Sequence, residues 1–320
     1  MINEEILFNE YPEIANILLY DNTTKKNIIW ATSNYENKGA GYSLTDEIKL
    51  DLINKEKVIK PRLEKTKEEQ SKRSKDKAEV FTPSWICNEM NNLIDKAWFG
   101  VENSFNIENG KKWIATEKVI FPNGKTWQDY VINTRLEITC GEAPFLVSRY
   151  DTVTGNYIEL KDRIGFLDRK LRVVNENCNN EIDWIIWSLQ ALESIYGYEF
   201  QGDNLLIARE NFLFDYIDYY QAKFNKIPPN YLLESIATII SWNLWQMDGL
   251  KNVVPFSCHD IISQSFEISL FDVEKPKIER CPGCRNGNYK DHNGIRCMIM
   301  DWGNNKTIEY ISLMEEKNDK

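Results

Sequence analysis

The sequence predicts an α/β fold with a mostly parallel sheet, followed by a cysteine-rich hairpin. A short buried strand over residues 136–139 ends in a glycine turn and leads into a helix. A β-branched and aromatic strand over residues 195–200 also leads into a helix, and residues 243–249 have the pattern of a third strand. Strands that alternate with helices are typical of parallel α/β sheets, so we expect this chain to form one.

The composition is that of a water-soluble globular protein. Of the 320 residues, 42% are hydrophobic and 28% are charged, which excludes collagen-like and wholly disordered chains. There is no uncharged apolar stretch of about 18 residues, and the N-terminus lacks a signal-peptide pattern. The seven cysteines are odd in number and unevenly spread, as expected in a reducing compartment. We therefore predict a cytoplasmic protein with no membrane segment.

The charge of the chain is unevenly distributed. The formal net charge is −10, but residues 55–79 contain ten Lys or Arg against six Asp or Glu, so the rest of the chain carries −14. A protein that is acidic overall does not hold nucleic acid through a basic surface everywhere. Any phosphate-facing surface is expected in this basic segment, although a charged, solvated helix explains the same composition and is favoured.

Changes in composition divide the chain into three regions. Residues 1–79 form a mixed and helical N-terminal region that ends in the basic segment, and residues 80–258 contain the three predicted strands. Residues 259–320 are rich in cysteine and contain a predicted β-hairpin. Within the central region, an amphipathic helix is predicted from Ser84 onward, and the polar residues 151–181 are expected to be an insertion.

Glycine and acidic residues follow the predicted strands. The first strand ends in Thr139-Cys140-Gly141-Glu142, the second in Glu199 and the third in Asp248. In open parallel sheets, ligands bind at the carboxyl ends of strands, where glycine permits close backbone approach and an acid receives ribose hydroxyls. The three ends predict a nucleoside-bearing cofactor, whereas the absence of Gly-x-Gly-x-x-Gly and of a Walker loop disfavours a dinucleotide or triphosphate. Helix capping and solvated rim positions are the alternative roles for these acids.

These motifs carry a family resemblance. Phe81-Thr82-Pro83 before a helix, Glu-Ile-Thr-Cys-Gly-Glu-Ala-Pro-Phe-Leu at 137–146, and the segment 196–211 together resemble the adenine-N6 DNA methyltransferases of restriction-modification systems, known as restriction endonuclease subunit M. The resemblance covers roughly residues 77–258. It implies a three-layer, Rossmann-like S-adenosylmethionine-dependent methyltransferase fold, with double-stranded DNA as the substrate.

The resemblance also implies a set of cofactor-binding residues. Thr82 and Pro83 would contact the methionine moiety, Gly141 and Glu142 its amino and carboxyl groups, and Glu199 the ribose hydroxyls. The complete set consists of Phe81, Thr82, Pro83, Thr139, Gly141, Glu142, Glu199 and Asp248, the last toward the adenine amine. This chain departs from the family where Glu137-Ile138-Thr139 replaces the Asp-Pro entry to the glycine loop and Glu142-Ala143-Pro144 replaces its Gly-x-Gly exit.

The catalytic tetrapeptide of the family, Asn/Asp-Pro-Pro-Tyr/Phe, is absent from this sequence. Residues 227–231 contain similar letters in another order and are predicted to form a turn. Catalytic residues therefore remain unassigned in this chain. Because the strand at 136–139 would otherwise be an open sheet edge, we expect a second methyltransferase or restriction subunit to bring the fourth strand, the catalytic motif and target recognition.

Other functions are compatible with the same sequence. A degenerate methyltransferase-like fold would make the chain a non-enzymatic DNA-binding or regulatory subunit of a restriction system. Asp151 with Glu159 and Lys161 has a remote similarity to the acids and lysine of metal-dependent restriction nucleases.

The C-terminal region contains a predicted zinc site. Cys281, Cys284, His292 and Cys297 offer four ligands within 17 residues, and Pro282-Gly283 supplies the tight turn of a zinc knuckle. Four protein ligands predict a structural zinc. Cys258 and His259 are candidate substitutes, and free cysteines in a small core are the alternative.

Overall fold

The computed structural model describes residues 4–54, 58–61, 64–77, 82–263 and 277–315, so Phe81 lies outside the described residues. The helices are α1 (Glu4–Glu10), α2 (Pro12–Leu19), α3 (Leu50–Ile53), α4 (Lys67–Lys77), α5 (Ser84–Phe99), α6 (Trp127–Ile132), α7 (Phe166–Asn177), α8 (Glu181–Glu193), α9 (Gly202–Phe224), α10 (Asn230–Asn243), α11 (Pro282–Asn286) and α12 (Ser312–Glu315). The strands are β1 (Tyr20–Asp21), β2 (Lys26–Asn27), β3 (Asn106–Asn109), β4 (Lys112–Ala115), β5 (Arg135–Glu137), β6 (Ile195–Glu199), β7 (Leu244–Gln246), β8 (Ile261–Ser263), β9 (Lys277–Glu279), β10 (Met298–Asp301) and β11 (Lys306–Glu309). Among the helices in these ranges, none is both long enough and apolar enough to cross a membrane.

The strands β5, β6 and β7 form a small parallel sheet in that order. Glu137 of β5 pairs with Gly197 of β6, which in turn pairs with Leu244 of β7. Each of the three strands overlaps the residues for which the sequence pattern predicted a strand. The prediction of a mixed α/β fold with parallel strands is therefore confirmed.

Two expectations for the first strand are wrong: Leu136 and Ile138 are exposed rather than buried, and no helix follows the glycine turn directly. Ala143 has a φ of +62°, which a right-handed helix does not allow.

The two faces of this sheet have different covers. Successive side chains of a strand point to opposite faces. Ile195 and Leu244 belong to the main hydrophobic core, which they share with buried side chains of α7, α8, α9 and α10. Tyr198 and Trp245, on the opposite face, pack in a second cluster with residues of the C-terminal region, including Tyr310. The cover of this second face thus comes from the cysteine-rich region.

The C-terminal hairpin is formed by β10 and β11, as the sequence predicted. Met298 pairs with Glu309 and Asp301 pairs with Lys306 in an antiparallel register. The Asp301 carboxylate accepts a hydrogen bond from the backbone N–H of Asn304 at 3.1 Å and so stabilises the turn. The hairpin contributes Ile299 to the second cluster beneath the sheet.

The N-terminal region packs beside the outer strand β7. Helix α2 packs against α10 and buries Ile14 and Leu18. The Gln246 side chain, at the end of β7, accepts a hydrogen bond from the backbone N–H of Ile29 at 2.9 Å and donates one to the Ile29 carbonyl at 2.8 Å. These two bonds satisfy the backbone N–H and C=O of Ile29, as pairing with a neighbouring strand would. Buried side chains of the N-terminal region and of the sheet belong to one hydrophobic core.

Residues 151–181 are not simply a polar insertion, because they contain the buried helix α7. Asp168 accepts a hydrogen bond from the Gly165 N–H at 2.9 Å at the start of this helix. Asp168, Arg169 and Lys170 are almost fully buried together with Leu167. The sequence pattern did not predict this core helix because three of its consecutive residues are charged. These side chains can be buried because each has partners inside the protein.

Helix α5 is present where it was predicted, but its apolar side faces outward. Met90, Leu93 and Ile94 are 48%, 61% and 44% exposed. The inward side carries Asn88 and Asp95, which receive hydrogen bonds from the Arg169 guanidinium. A buried charge is tolerated only with such partners, and their position on α5 decides which side of the helix turns inward.

Arg209 of α9 links three separate parts of the chain. Its guanidinium is fully buried and uses all five N–H groups. These groups donate to the carbonyls of Leu18 at 2.6 Å, Tyr20 at 3.0 Å, Ser241 at 3.1 Å and Leu244 at 2.6 and 2.9 Å. Burial lowers the pKa of Arg209 to about 10, so the side chain is still charged at neutral pH.

We predict that Arg209→Met lowers the free energy of unfolding by at least about 3 kcal/mol, because it leaves four buried carbonyls without their donor. Urea denaturation followed by circular dichroism measures this loss. Lys226→Met removes an exposed cation and serves as the control, with an expected change below about 1 kcal/mol. Equal midpoints for the two variants would contradict a central role for Arg209.

Candidate functional site

Four metal-ligating side chains converge in the C-terminal region. Cys258 lies between β7 and β8, Cys281 precedes α11, Cys284 lies within α11, and His292 lies in the loop that follows. Their ligand atoms all lie within 4.8 Å of one another. Because they come from three separate segments, tertiary folding brings them together.

The geometry of this Cys₃His cluster is that of a tetrahedral metal site. The His292 Nδ1 atom lies 3.5 Å from the Cys258 Sγ and 3.6 Å from the Sγ atoms of Cys281 and Cys284. Zn–S bonds of about 2.3 Å and Zn–N bonds of about 2.0–2.1 Å place sulfur and nitrogen about 3.6 Å apart at the corners of a tetrahedron. One imidazole nitrogen cannot make three separate hydrogen bonds. The cluster could therefore bind a metal such as zinc with four protein ligands.

Local chemistry holds the histidine against the cysteine turn. A Cβ atom added to Gly283 would lie 2.6 Å from the His292 Cγ, so only glycine allows this approach. The backbone N–H of Asn293 donates to the Cys281 Sγ at 3.3 Å. Although burial would raise the pKa of Cys281, N–H groups of Asn293 and Cys284 and the His292 ring lower it to about 6. The thiolate, which is the form that binds metal, is thus favoured at Cys281.

The structure places Cys258 in the cluster in the position predicted for Cys297. The Cys297 thiol is 1% exposed and donates to the carbonyl of Gln246 at 3.5 Å, beneath the sheet. Cys297 directly precedes β10, whose pairing holds it in the second hydrophobic cluster. Spacing along the chain favoured Cys297 as the fourth ligand. In the structure, the segment after β7 passes close to Cys281 and His292, and it brings Cys258 into the cluster instead. His259 is exposed and its backbone bonds to Asn293.

The loop after β5 has an unusual backbone. Thr139, Gly141 and Ala143 have φ values of +50°, +58° and +62°, in the left-handed region. Such a conformation costs a β-branched residue like Thr139 about 1–3 kcal/mol and is commonest at functional sites. A Cβ added to Gly141 would meet no atom within 4 Å, so this glycine is required by its φ angle and faces open space.

Glu199 joins the ends of β5 and β6. Its carboxylate accepts hydrogen bonds from the backbone N–H of Gly141 at 2.9 Å and of Gln201 at 3.1 Å. Burial raises the pKa of Glu199, although these two N–H groups oppose the shift. Glu137 lies near, and one of its buried oxygens has no hydrogen-bond partner. Burial and the charge of Glu199 raise the pKa of Glu137.

Thr82 and Glu142 contact the same loop. The hydroxyl of Tyr150 donates to the Glu142 carboxylate at 2.9 Å, and that of Thr152 donates to the Thr82 carbonyl at 3.0 Å. Pro83 directly precedes α5 at its N-cap. The structure therefore brings the predicted residues before α5 and after β5 to one side of the molecule, connected by this loop.

Asp248 lies beyond β7 and has local partners. It accepts hydrogen bonds from the backbone N–H of Leu250 at 3.1 Å and forms an ion pair with Lys251 at 3.0 Å. The hydrogen bond to Asp248 raises the pKa of Lys251, and the nearby thiols of Cys284 and Cys258 add to this effect. The end of the third strand thus lies close to the Cys₃His cluster.

Asp151 also has a structural role. One of its oxygens accepts the Ser84 N–H at 2.7 Å at the start of α5, and the other accepts the Thr154 N–H at 2.7 Å. These bonds lower the pKa of Asp151 against the opposing effect of burial. They account for this acid without a nuclease site.

No protein-family model, no curated protein and no solved structure matches this chain.

We predict that Cys258→Ala removes bound zinc, while Cys297→Ala retains it. Elemental analysis of the purified proteins should give about one zinc per chain for the original sequence and for Cys297→Ala, and much less for Cys258→Ala. Cys297→Ala is the matched control because it also removes one thiol from the same region. Zinc retained by Cys258→Ala but lost from Cys297→Ala would reverse the ligand assignment.

Proposed function

We propose that this chain is the S-adenosylmethionine-binding part of an adenine-N6 DNA methyltransferase. The observation that supports it most is the contact between Gly141 and Glu199 at the ends of two adjacent parallel strands. By the resemblance, Gly141 corresponds to the glycine loop of the methyltransferase family and Glu199 to its ribose-binding acid. The finer fold proposal, a Rossmann-like methyltransferase, is compatible with the strand order but rests on the same resemblance.

The surroundings of Gly141 fit a bound nucleoside in two respects. A Cβ atom built on this glycine would meet no other atom within 4 Å, so the space beside it is open. At the strand ends, the side-chain oxygens Oε2 of Glu137 and Oε1 of Gln201 are buried without a hydrogen-bond partner. These oxygens are acceptors that the protein itself leaves unused, and the hydroxyl and amino groups of a ligand could donate to them.

In the proposal each residue has a definite role. Glu199 would accept hydrogen bonds from the ribose hydroxyls, Gly141 and Glu142 would surround the amino-acid end, and Thr82 with Pro83 would close over it. Asp248 would face the adenine amine, for which it must exchange its present partner Lys251. When bound, S-adenosylmethionine supplies the electrophilic methyl group, whereas the clamp for the adenine amine must come from elsewhere.

A partner chain is the proposed source of that clamp. Among the described strands, only β6 pairs with β5, and the outward-facing side chains Leu136 and Ile138 are 44% and 63% exposed. Asp95 on the inward side of α5 lies 3.9 Å from the Arg135 guanidinium of β5, and the opposite side of this helix exposes Met90, Leu93 and Ile94. A second polypeptide that adds a parallel strand would satisfy the open backbone groups of β5 and cover Leu136 and Ile138.

One observation favours a second candidate, a non-enzymatic regulatory subunit that binds DNA. Both Glu199 oxygens already accept backbone N–H groups, and the residue is 6% exposed. These two bonds give the carboxylate a structural role, the joining of two strand ends, that needs no cofactor. The two functions differ in whether the cofactor binds, and this difference can be measured directly.

The metal proposed for the Cys₃His cluster is zinc in a structural role. Four protein ligands leave no position for water or substrate. The site would link the segment after β7 to the turn at α11 and thereby fix the base of the antiparallel pair β8–β9.

We predict that the chain binds S-adenosylmethionine and that Glu199→Ala weakens binding by about 2 to 4 kcal/mol, because two charge-assisted hydrogen bonds are lost. Isothermal titration calorimetry measures the Kd. Glu234→Ala, which removes an exposed acid of α10, should bind normally, and thermal melting of both variants controls for folding. An unchanged Kd in folded Glu199→Ala, or no binding by the original chain, would favour the non-enzymatic candidate.

We further predict that the chain alone transfers no methyl group to DNA, whereas its heterodimer with the product of the neighbouring gene methylates adenine. Incorporation of tritiated methyl groups into duplex DNA tests both. Ile138→Lys should prevent the heterodimer by placing a charge at the open edge, while Ile227→Lys, a similarly exposed isoleucine after α9, should not. Methylation by the chain alone would show that its own residues form the clamp.

A further inference from the structure

A cavity of about 780 Å³ lies on the N-terminal side of α9. Its walls are the 3-10 helix Ser33–Lys38, residues 58, 60 and 64–66, and the helix α4. Cavities of about 300–1,000 Å³ are usual for small-molecule sites, so the space is large enough for a nucleotide. None of the residues discussed for cofactor or metal binding lines it.

The lining of this cavity is cationic. Its charged side chains are four bases and two acids, namely Lys38, Lys60, Lys65, Arg73, Glu64 and Glu69. The bases reach the inner wall, where Lys65 is 8% and Arg73 is 3% exposed, whereas both acids are exposed. One Glu69 oxygen accepts the N–H of Thr66 at 2.7 Å and is used in capping α4. With the buried Asp203 carboxylate beside Lys65 and Arg73 counted, four cations face three acids, and this excess of positive charge favours an anion.

The inner cations are held in fixed positions by α9. The Asp203 carboxylate in the first turn of this helix accepts hydrogen bonds from Arg73 at 2.7 Å and from the Tyr35 hydroxyl at 2.8 Å. The same oxygen lies 3.7 Å from the Lys65 Nζ, and Arg73 also donates to Asn204 at 3.2 Å. A guanidinium with such anchors is preorganised, so little conformational entropy is lost when an anion binds.

The location of the cavity is also that of a ligand site. Helix α9 begins directly after β6, at the carboxyl end of the parallel sheet, where ligands of open α/β sheets bind. The Gly202 N–H donates to the carbonyl of Trp30 at 3.0 Å, and a Cβ on Gly202 would lie 2.1 Å from the Ile29 carbonyl oxygen. This close approach connects the wall of the cavity rigidly to the sheet.

We propose that this cavity is a phosphate-binding site that takes the phosphate group of a nucleotide or of a nucleic-acid backbone. Arg73 and Lys65 would contact the phosphate oxygens, and Lys60 at the entrance would attract the anion. The shared chemistry is an oxyanion with two or more terminal or bridging oxygens, for which guanidinium and ammonium groups are the common protein partners. The site is independent of cofactor binding at Gly141.

The test uses the full chain without S-adenosylmethionine. The probes are inorganic pyrophosphate and adenosine monophosphate in titration calorimetry, and a fluorescent DNA duplex in anisotropy measurements. Lys60→Glu and Arg73→Lys should each weaken binding by about tenfold or more, because the first reverses the charge at the entrance and the second loses the planar fork of guanidinium donors. Lys306→Glu makes the same charge change on the remote hairpin and should have little effect.

The arms of the experiment separate the two sources of phosphate. Binding of the small probes that Lys60→Glu weakens identifies a nucleotide site, while variant-sensitive binding of DNA alone identifies contact with the nucleic-acid backbone. Lys60→Glu changes an exposed residue, so it remains informative should Arg73→Lys fail to fold. No binding of any probe, or equal weakening by Lys306→Glu, would overturn the proposal.

Discussion

The arrangement of this protein depends on the buried guanidinium of Arg209. A fully buried cation is tolerated only when its N–H groups have acceptors, and Arg209 finds them in four carbonyls from two segments, residues 18–20 and 241–244. The first strand of the N-terminal region, the end of α10 and the start of β7 are therefore held at fixed distances from α9. Because α9 also follows β6, this contact determines how the third strand and the N-terminal region lie against the sheet. The glycine loop contacts the end of β6, and the cationic cavity is anchored on α9, so both depend on this arrangement.

A second buried network decides which surfaces remain open. Arg169 bonds to Asp95 and Asn88 of α5, and Asn91 donates to the carbonyls of Phe145 and Ile164. These contacts turn the polar side of α5 inward, and its apolar side becomes surface. An exposed apolar helix side and an open strand edge are each unfavourable for a protein that acts alone. The presence of both supports the proposed partner chain.

The carboxyl end of the small sheet concentrates the polar features of the molecule. Gly141 and Glu199 meet at the ends of β5 and β6, and Asp248 beyond β7 lies close to the Cys₃His cluster. The charge of Asp203, which anchors the cationic cavity, also raises the pKa of Glu199, although burial is the main cause. Cofactor, phosphate and metal sites would thus be neighbours on one side of the sheet, where a nucleic-acid substrate could contact several of them.

The sequence by itself determined the three parallel strands, the helix α9 that follows β6, and three of the four side chains of the Cys₃His cluster. These features depend on local patterns, such as the apolar run before Cys140-Gly141 or the Cys-Pro-Gly-Cys turn, which act over a few residues. The tertiary structure alone decided that Cys258 replaces Cys297, that the charged helix α7 is buried and that the apolar side of α5 faces outward. Each of these outcomes depends on partners distant in sequence, such as Arg169 for Asp95, because a buried charge goes where its partners are. Hydrophobic periodicity describes the chain before those partners are known, and it therefore predicts elements better than the faces they bury.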